Sequence, residues 1–181
     1  PEMPAEQRAK YTGITLEKAF RLEHLIEEFF EITRFNLSSI VLNKGKTNLT
    51  FMLQQMADEF YPMLSPQNKQ VLVHAYDDLV LWGDADKLSR VFNNILKNAI
   101  SYSYDGSVID ITAFQEETNT IIQFTNIGDQ IPPHKLETIF ERFFRLDTAR
   151  SSKTGGAGIG LSIAKEIVVA HGGTITAQCV E

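Results

Sequence analysis

Hydrophobic residues recur at three- and four-residue spacing along the first part of the chain, and charged residues fill the positions between them. This spacing predicts one long amphipathic helix over residues 5–41. Its apolar stripe, wide for a helix with so little chain beside it, consists of Leu22, Leu25, Ile26, Phe29, Phe30 and Ile32. We expect the stripe to pack in a coiled coil or four-helix bundle. The alternative is that it packs on the rest of this same chain.

The remainder of the chain alternates between helix and strand patterns. A polar break at residues 43–48 separates the two regions, so we place a domain boundary there, with residues 1–43 before it and residues 47–181 after it. Helices are predicted at residues 49–64, 84–102, 134–144 and 159–170. Strands are predicted at 70–74 and 79–82 around a turn at 77–78, at 108–114 and 120–125 as a hairpin, and at 174–178. The mixture predicts an α+β domain with two layers.

Composition excludes several classes of function. A net charge of −6 argues against a nucleic-acid partner, which requires a basic face. Apolar runs are too short to suggest a membrane span. Cys179 is the only cysteine, so no internal disulfide can form. Because the chain starts without an initiator methionine, we expect it to be a piece of a longer protein.

Three asparagines lie within two turns of the helix predicted at residues 84–102. Asn94 and Asn98 are four residues apart, so both amides share one helix face. Asparagine is a mediocre helix former, and the cluster therefore costs stability. Amide oxygens are hard ligands that suit Mg²⁺ when phosphates and water supply its other ligands. A solvated polar face explains the cluster equally well if it is taken alone.

Two glycine-containing segments follow. The first, residues 126–132, comes directly after a predicted strand; Gly128 permits close backbone approach to a flat ligand, and Asn126 offers an acceptor to an exocyclic amine. A plain turn is the alternative. The second, residues 155–161, enters a helix and exposes backbone N–H groups that suit phosphate. It matches neither a P-loop nor the dinucleotide fingerprint.

The order of these segments is more specific than any one of them. Together with a phenylalanine-rich stretch at residues 139–145, they resemble the N, G1, F and G2 boxes of the ATP-binding domain of sensor histidine kinases. The resemblance runs from about Asn48 to the end of the chain. Residues 90–99 and 147–161 are similar, more narrowly, to the sensor kinases of vancomycin resistance. The resemblance to sensor histidine kinases implies a two-layer α/β sandwich of the Bergerat type, preceded by one helix of a dimerisation bundle.

The resemblance also implies ATP and Mg²⁺ as ligands. Asn98, helped by Asn94, is expected to hold Mg²⁺ against the phosphates. Tyr102 is expected to pack on the adenine or ribose, and Asn126 to receive the adenine amino group. The other residues implied in nucleotide binding are Gly128, Ile131, Arg142, Arg145, Gly156, Gly158, Gly160 and Leu161. Residues 145–155 are expected to form a mobile lid that nucleotide orders.

Four features depart from the family pattern. Asn126 stands where aspartate is usual, Gln130 replaces the second glycine of the G1 box, and Ser101 stands where a basic residue is frequent. These three predict weaker nucleotide binding than the family average. The last strand of the fold is expected to be cut off after Glu181.

The four histidines are His24, His74, His134 and His171. None has the acid-then-proline context of the histidine that accepts phosphate in this family. We therefore expect the acceptor helix to lie before Pro1, and residues 1–43 to be the second helix of the bundle. The chain alone is then expected not to phosphorylate itself.

The resemblance implies a protein histidine kinase that passes the phosphoryl group from histidine to an aspartate of a response regulator. It also implies homodimerisation through the helical bundle, and a parent protein in the cell membrane of which this is a cytoplasmic portion. Two other classes stay open. The first is an ATPase of the same superfold, which needs a catalytic glutamate that the helix at 84–102 lacks. The second is a non-catalytic module that binds nucleotide and dimerises.

Overall fold

The computed structural model describes residues 4, 7–16, 18–19, 22, 26, 40–76, 78–146 and 158–180. Residues 7–16 are helical, as predicted for the start of the long helix. Its predicted end at residue 41 is wrong: residues 40–44 are irregular, because Ile40 packs against the hydrophobic core that follows. Of the predicted apolar stripe, Leu22 and Ile26 are exposed, and Leu25, Phe29, Phe30 and Ile32 lie outside the described residues. Within the described part of the chain, no helix has the length and apolar character that crossing a membrane requires.

Five strands and three α-helices have defined bounds within the described residues. In chain order they are β1 (Gly45–Asn48), α1 (Leu49–Leu64), β2 (Gln70–Ala75), β3 (Val80–Gly83), α2 (Ala85–Tyr102), β4 (Val108–Glu116), β5 (Asn119–Asn126) and α3 (Gly160–Ala170). Single 3₁₀ turns occur at Ser65–Gln67, Pro133–Lys135 and Thr138–Phe140. The helices predicted for α1, α2 and α3 and the hairpin of β4 and β5 are confirmed.

The strands form two small sheets. The larger has the order β2-β4-β5, with β2 parallel to β4 and β4 antiparallel to β5. The smaller is the antiparallel pair of β1 and β3. A parallel pair needs a long crossover connection, and the chain between β2 and β4 supplies it through β3 and α2. This crossover places α2 over the sheet, at the centre of the domain.

The hydrophobic core lies between the sheet and the helices. Ile109, Ile111 and Ala113 alternate along β4 and are buried, as expected for a strand with one face toward the core. Helix α1 packs on β2, α2 packs on β5, and α3 packs on α2. The rings of Phe92 on α2 and Phe124 on β5 lie 6.2 Å apart. The predicted two-layer α/β fold is confirmed.

The polar break predicted before the first helix needs correction. Residues 43–48 contain β1, where Thr47 is buried and donates a hydrogen bond to the Gly83 carbonyl at 3.2 Å. The strands predicted at 70–74 and 79–82 are confirmed as β2 and β3, which pair with β4 and β1 respectively. Their partners come from distant parts of the chain, which a local pattern does not reveal.

Two later elements also differ from expectation. The segment at 134–144 forms 3₁₀ turns in place of a helix; the last turn ends at Phe140, where Glu141 is extended, and Phe143 has a left-handed φ of +65° that no α-helix contains. Residues 174–178 were predicted to be a strand but are irregular. None of the described strands pairs with them, so they lack the ladder that defines a strand.

Asp84 joins three separate parts of the domain. Its carboxylate accepts hydrogen bonds from the backbone N–H of Lys87, which caps α2, and from that of Asn43, before β1, at 3.0 and 2.8 Å. Its own N–H donates to Nε2 of His171 at the end of α3, at 3.0 Å. Nδ1 of His171 lies 2.8 Å from the Ile167 carbonyl, which requires the proton on that nitrogen. The cap predicted at Asp84 is confirmed.

The Asp84 carboxylate makes stability depend on pH. Burial raises the pKa of Asp84, but the N–H donors of Asn43 and Lys87, together with the charge of Lys87, outweigh it and lower the pKa below its ordinary value of 3.8. A lowered pKa stabilises the fold above 3.8, and that contribution is lost as pH falls through the folded pKa. Asp84→Asn should cost about 1–3 kcal/mol at pH 7.

Urea unfolding of the Asp84→Asn variant and the parent chain at several pH values measures this contribution. The difference in unfolding free energy should be full at pH 7 and shrink below pH 3.8, as Asp84 becomes protonated in the parent chain. Asp86→Asn, in the first turn of the same helix, is the matched control. A difference that stays constant down to the acid transition would contradict the assignment to Asp84.

Candidate functional site

The asparagine cluster of α2 contacts the glycine that opens α3. The side-chain NH₂ of Asn94 donates a hydrogen bond to the backbone carbonyl of Gly160 at 3.1 Å. The two residues are 66 positions apart in the sequence. The N and G2 segments, which sequence reasoning singled out separately, are therefore neighbours in space.

Asn94 and Asn98 present donor atoms that suit Mg²⁺. A carbonyl can only accept, so the Gly160 contact takes the Asn94 NH₂ and leaves Oδ1 as an available acceptor. Asn98 is half-buried one turn further along α2, and its side chain makes no hydrogen bond with any described residue. Two amide oxygens on one helix face fit a cation whose other ligands are phosphate and water. Among the described residues, no cluster of three His, Cys, Asp or Glu side chains offers another metal site.

The G1 turn, residues 126–132, packs directly on the C-terminal end of α2. A Cβ at Gly128 would lie 2.2 Å from the Tyr102 carbonyl oxygen, so only glycine fits there. Gly128 forms an isolated β-bridge with Ser103, and the Tyr104 N–H donates to the Ile127 carbonyl at 2.9 Å. The close approach of two backbones, not a ligand alone, accounts for the glycine.

Two side chains with predicted roles at the nucleotide base meet beside this glycine. Tyr102 is 37% exposed at the last turn of α2, and Asn126 is exposed at the end of β5. The Asn126 amide nitrogen lies 3.5 Å from the position that a Cβ on Gly128 would take. Tyr102 and Asn126 thus both lie next to Gly128, and an aromatic ring with an amide is a pair of groups that can hold a planar base and its amine.

The rest of the G1 turn contacts the chain on either side of it. Asp129 accepts a hydrogen bond from the Tyr104 hydroxyl at 2.7 Å. The Ile131 carbonyl lies 3.7 Å from the Cys179 thiol, a weak contact that connects the turn to the irregular segment after α3. Gln130, which stands in place of a glycine, is exposed on the turn. Ser101 donates back to the Lys97 carbonyl of its own helix, at 2.8 Å.

The end of the G2 loop is held against the phenylalanine-rich segment. Gly158 has a φ of +74°, and a Cβ there would lie 2.7 Å from the Phe144 carbonyl oxygen. The Phe143 N–H donates to the Gly158 carbonyl at 2.9 Å, and the Arg145 side chain lies alongside. Leu161 is half-buried in the first turn of α3. Gly156 and most of the predicted lid at 145–155 lie outside the described residues.

Arg142 has a partner that sequence reasoning missed. Its Nη2 lies 2.6 Å from Oε1 of Glu166, on α3, and its Nε donates to the same oxygen at 3.1 Å. Nothing in the local sequence signals the pair, because the two residues belong to different elements. Any phosphate that Arg142 contacts must compete with Glu166 for the guanidinium.

A groove of about 550 Å³ lies next to this ion pair. Its walls include Ile40, Phe140, Arg142, Lys165 and Val169. The Lys165 ammonium lies 5.9 Å from the centre of the Phe140 ring. Among the predicted nucleotide-binding residues that the structure describes, Arg142 alone lines the groove; the asparagines and glycines described above lie elsewhere.

Comparison with known proteins identifies the family of the chain. Residues 83–181 match the family described as histidine kinase-, DNA gyrase B-, and HSP90-like ATPase. The chain is 61% identical over 178 residues to the sensor protein VanS of Enterococcus faecium, covering 98% of this chain and 46% of VanS. It is 43% identical to the sensor protein VanSC of Enterococcus gallinarum, covering 98% of this chain and 49% of VanSC. The chain therefore spans about half the length of these curated relatives.

Solved structures lead to the same family. Histidine kinase ThkA, in complex with the response regulator protein TrrA, matches 99% of this chain and 50% of its own, with 25% identity and a TM-score of 0.77. Full-length ShkA in complex with AMPPNP matches 97% of this chain and 36% of its own; at 22% identity and a TM-score of 0.81, it supports the fold. The chain belongs to the histidine kinase-, DNA gyrase B- and HSP90-like ATPase family, and it is similar over nearly its whole length to sensor proteins that include VanS.

Proposed function

We propose that this chain binds Mg-ATP between α2, the G1 turn and the G2 loop, and transfers the γ-phosphoryl group to a histidine. The hydrogen bond from Asn94 to Gly160 is the observation that carries this proposal. It unites amide ligands for a cation with a helix N-terminus suited to phosphate, in a family of ATPases. AMPPNP, an ATP analogue, is bound in the related fold of ShkA.

Each end of the nucleotide has its own residues in this proposal. Asn98 and Asn94 hold Mg²⁺, which supplies charge neutralisation to the phosphates. Gly156, Gly158 and Gly160, with the start of α3 at Leu161, surround the triphosphate, and Arg142 and Arg145 approach it. Tyr102 packs on the base or ribose, Asn126 accepts from the adenine amine, and Gly128 and Ile131 border the base. The lid at 145–155 then closes over bound ATP.

The proposed acceptor is a histidine on a helix before the catalytic domain, with residues 1–43 as the second helix of a dimerisation bundle and 47–181 as the ATP-binding domain. Within the domain, His171 uses one ring nitrogen toward Ile167 and the other toward Asp84. His74 lies 3.4 Å from Asp110 on the outer face of the sheet. Because both ring nitrogens of His171 are engaged and His74 faces a carboxylate, we propose neither as the acceptor, which direct transfer requires to lie in line with the γ-phosphate.

A response regulator is the proposed downstream partner, receiving the phosphoryl group on an aspartate. ThkA, a structural relative, is known in complex with one. Similarity to VanS favours a regulator of the VanR type and the control of glycopeptide-resistance genes. We further propose that the whole protein is a homodimeric kinase of the cell membrane, whose cytoplasmic portion includes this chain.

Phosphotransfer in trans tests the proposal. The chain is incubated with γ-labelled ATP, Mg²⁺ and a separate bundle polypeptide that carries a histidine followed by an acid and a later proline. We expect label on that polypeptide and none on the chain alone, because in-line transfer needs an accessible acceptor nitrogen. Addition of a response regulator should then move the label to its aspartate.

A His→Gln variant of the bundle polypeptide is the control, and it should take no label. Release of inorganic phosphate without labelled protein would instead assign the chain as an ATPase. Absence of nucleotide binding would favour a non-catalytic module. Label that maps to His24 of the chain alone would contradict the proposed acceptor.

A further inference from the structure

Lys69, just before β2, is a buried cation that the proposed nucleotide site does not use. Its side chain is 2% exposed. Taking an ammonium out of water is costly unless each of its three donors finds an acceptor. Nζ lies 2.8 Å from the Ile100 carbonyl, 2.6 Å from Oε1 of Gln67 and 3.6 Å from the carboxylate of Asp105.

The Ile100 carbonyl belongs to the last turn of α2, where a helix leaves its carbonyls unpaired and carries partial negative charge. That turn contains no basic residue of its own. The Ala99 carbonyl is satisfied by the Ser103 N–H. Lys69 supplies the missing cation from another part of the chain, and so fixes the turn that ends in Tyr102.

Backbone contacts extend this support to the G1 turn. The Gly106 N–H donates to the Gln67 carbonyl at 2.9 Å, and the Gln70 N–H donates to the Ser107 carbonyl at 3.2 Å. The segment after α2 is thereby held to the segment around Lys69. That segment in turn reaches the G1 turn, where the Tyr104 N–H donates to Ile127.

We propose that Lys69 is a positioning residue for the base end of the nucleotide site: it sets the last turn of α2 so that Tyr102 and Gly128 stay in register with Asn126. This inference rests on the proposed ATP binding. Lys69 touches no nucleotide itself. The phosphate end, at Asn94 and Gly160, lies more than a helical turn upstream and is held independently.

The test compares two ligands on Lys69→Met, which keeps the chain length and removes charge and donors. Dissociation constants are measured by calorimetry for Mg-ATP and for purine riboside triphosphate, which lacks only the adenine amino group. We expect the parent chain to prefer ATP. In Lys69→Met, ATP affinity should fall about tenfold, the preference should shrink by a similar factor, and the Mg²⁺ dependence of binding should persist.

Met56→Ala, in the core of α1, is the matched control, since it destabilises the fold away from this turn. It should leave the ligand preference unchanged. If Lys69→Met does not fold, the double variant Gln67→Ala, Asp105→Ala removes two acceptors at exposed side chains and should shrink the preference at least about threefold.

The possible results distinguish a failure of the role proposed for Lys69 from a failure of the proposed ATP binding. A parent chain that binds no ATP overturns the proposed function, and the inference with it. A parent chain that binds ATP while Lys69→Met, or the double variant, keeps the full preference overturns the inference alone. Equal binding of both ligands by the parent chain also overturns it, because no base contact is then left to position.

Discussion

Asn98→Ala is expected to abolish the dependence of ATP binding on Mg²⁺ and to weaken Mg-ATP binding about 100-fold. The Asn98 side chain makes no hydrogen bond with any described residue, so its removal leaves no broken contact in the fold. Alanine is also the better helix former, and α2 should remain intact. Calorimetric titration with ATP, in the presence and absence of Mg²⁺, measures the effect.

Lys97→Ala, at an exposed position one residue earlier on α2, is the control and should bind Mg-ATP like the parent chain. Circular dichroism confirms that both variants are folded. Unchanged affinity for Mg-ATP in Asn98→Ala would remove this residue from the metal site and leave Asn94 as the proposed ligand from α2.

Gly128→Ala is expected to weaken ATP binding at least about tenfold and to destabilise the domain by about 1–3 kcal/mol. The new Cβ would lie 2.2 Å from the Tyr102 carbonyl oxygen, a backbone atom that cannot rotate away. Either the G1 turn or the last turn of α2 must shift, and Asn126 and Tyr102 then separate. Calorimetry reports the affinity and urea unfolding reports the stability.

Gly45→Ala provides the matched control, because a Cβ at Gly45 meets no atom within 4 Å. It adds the same methyl group to the same domain and should alter neither quantity appreciably. ATP affinity in Gly128→Ala within twofold of the parent chain would show that the G1 turn does not border the nucleotide.

The local sequence pattern was enough to predict the elements in which hydrophobic residues recur regularly over many positions. Helix α2 has a buried stripe that includes Leu88, Val91 and Leu96, and its start is marked by Asp84, so both its existence and its beginning could be predicted. The hairpin of β4 and β5 could be predicted equally well, because its two strands are adjacent in the sequence. Strand β1 was not, since its four polar or small residues are ordered by pairing with β3.

The site was predictable as a set of segments but not as a set of contacts. The asparagines and glycines stand out because both residue types are costly where no conformation or ligand requires them. Charged residues that contact the site from a distant part of the chain have no such unusual sequence pattern. Glu166 beside Arg142, and Lys69 beneath the end of α2, became apparent only when the fold brought distant segments together.

The contact between Asn94 and Gly160 also constrains the order in which the molecule assembles. Hairpins and single helices close short loops and form within microseconds, whereas a contact spanning 66 residues must wait for a slower search through chain conformations. While the chain is still emerging from the ribosome, α2 is complete long before its partner glycine is synthesised. At the proposed site, ATP meets its full set of residues only after this contact has formed, and it therefore stabilises the finished domain by mass action.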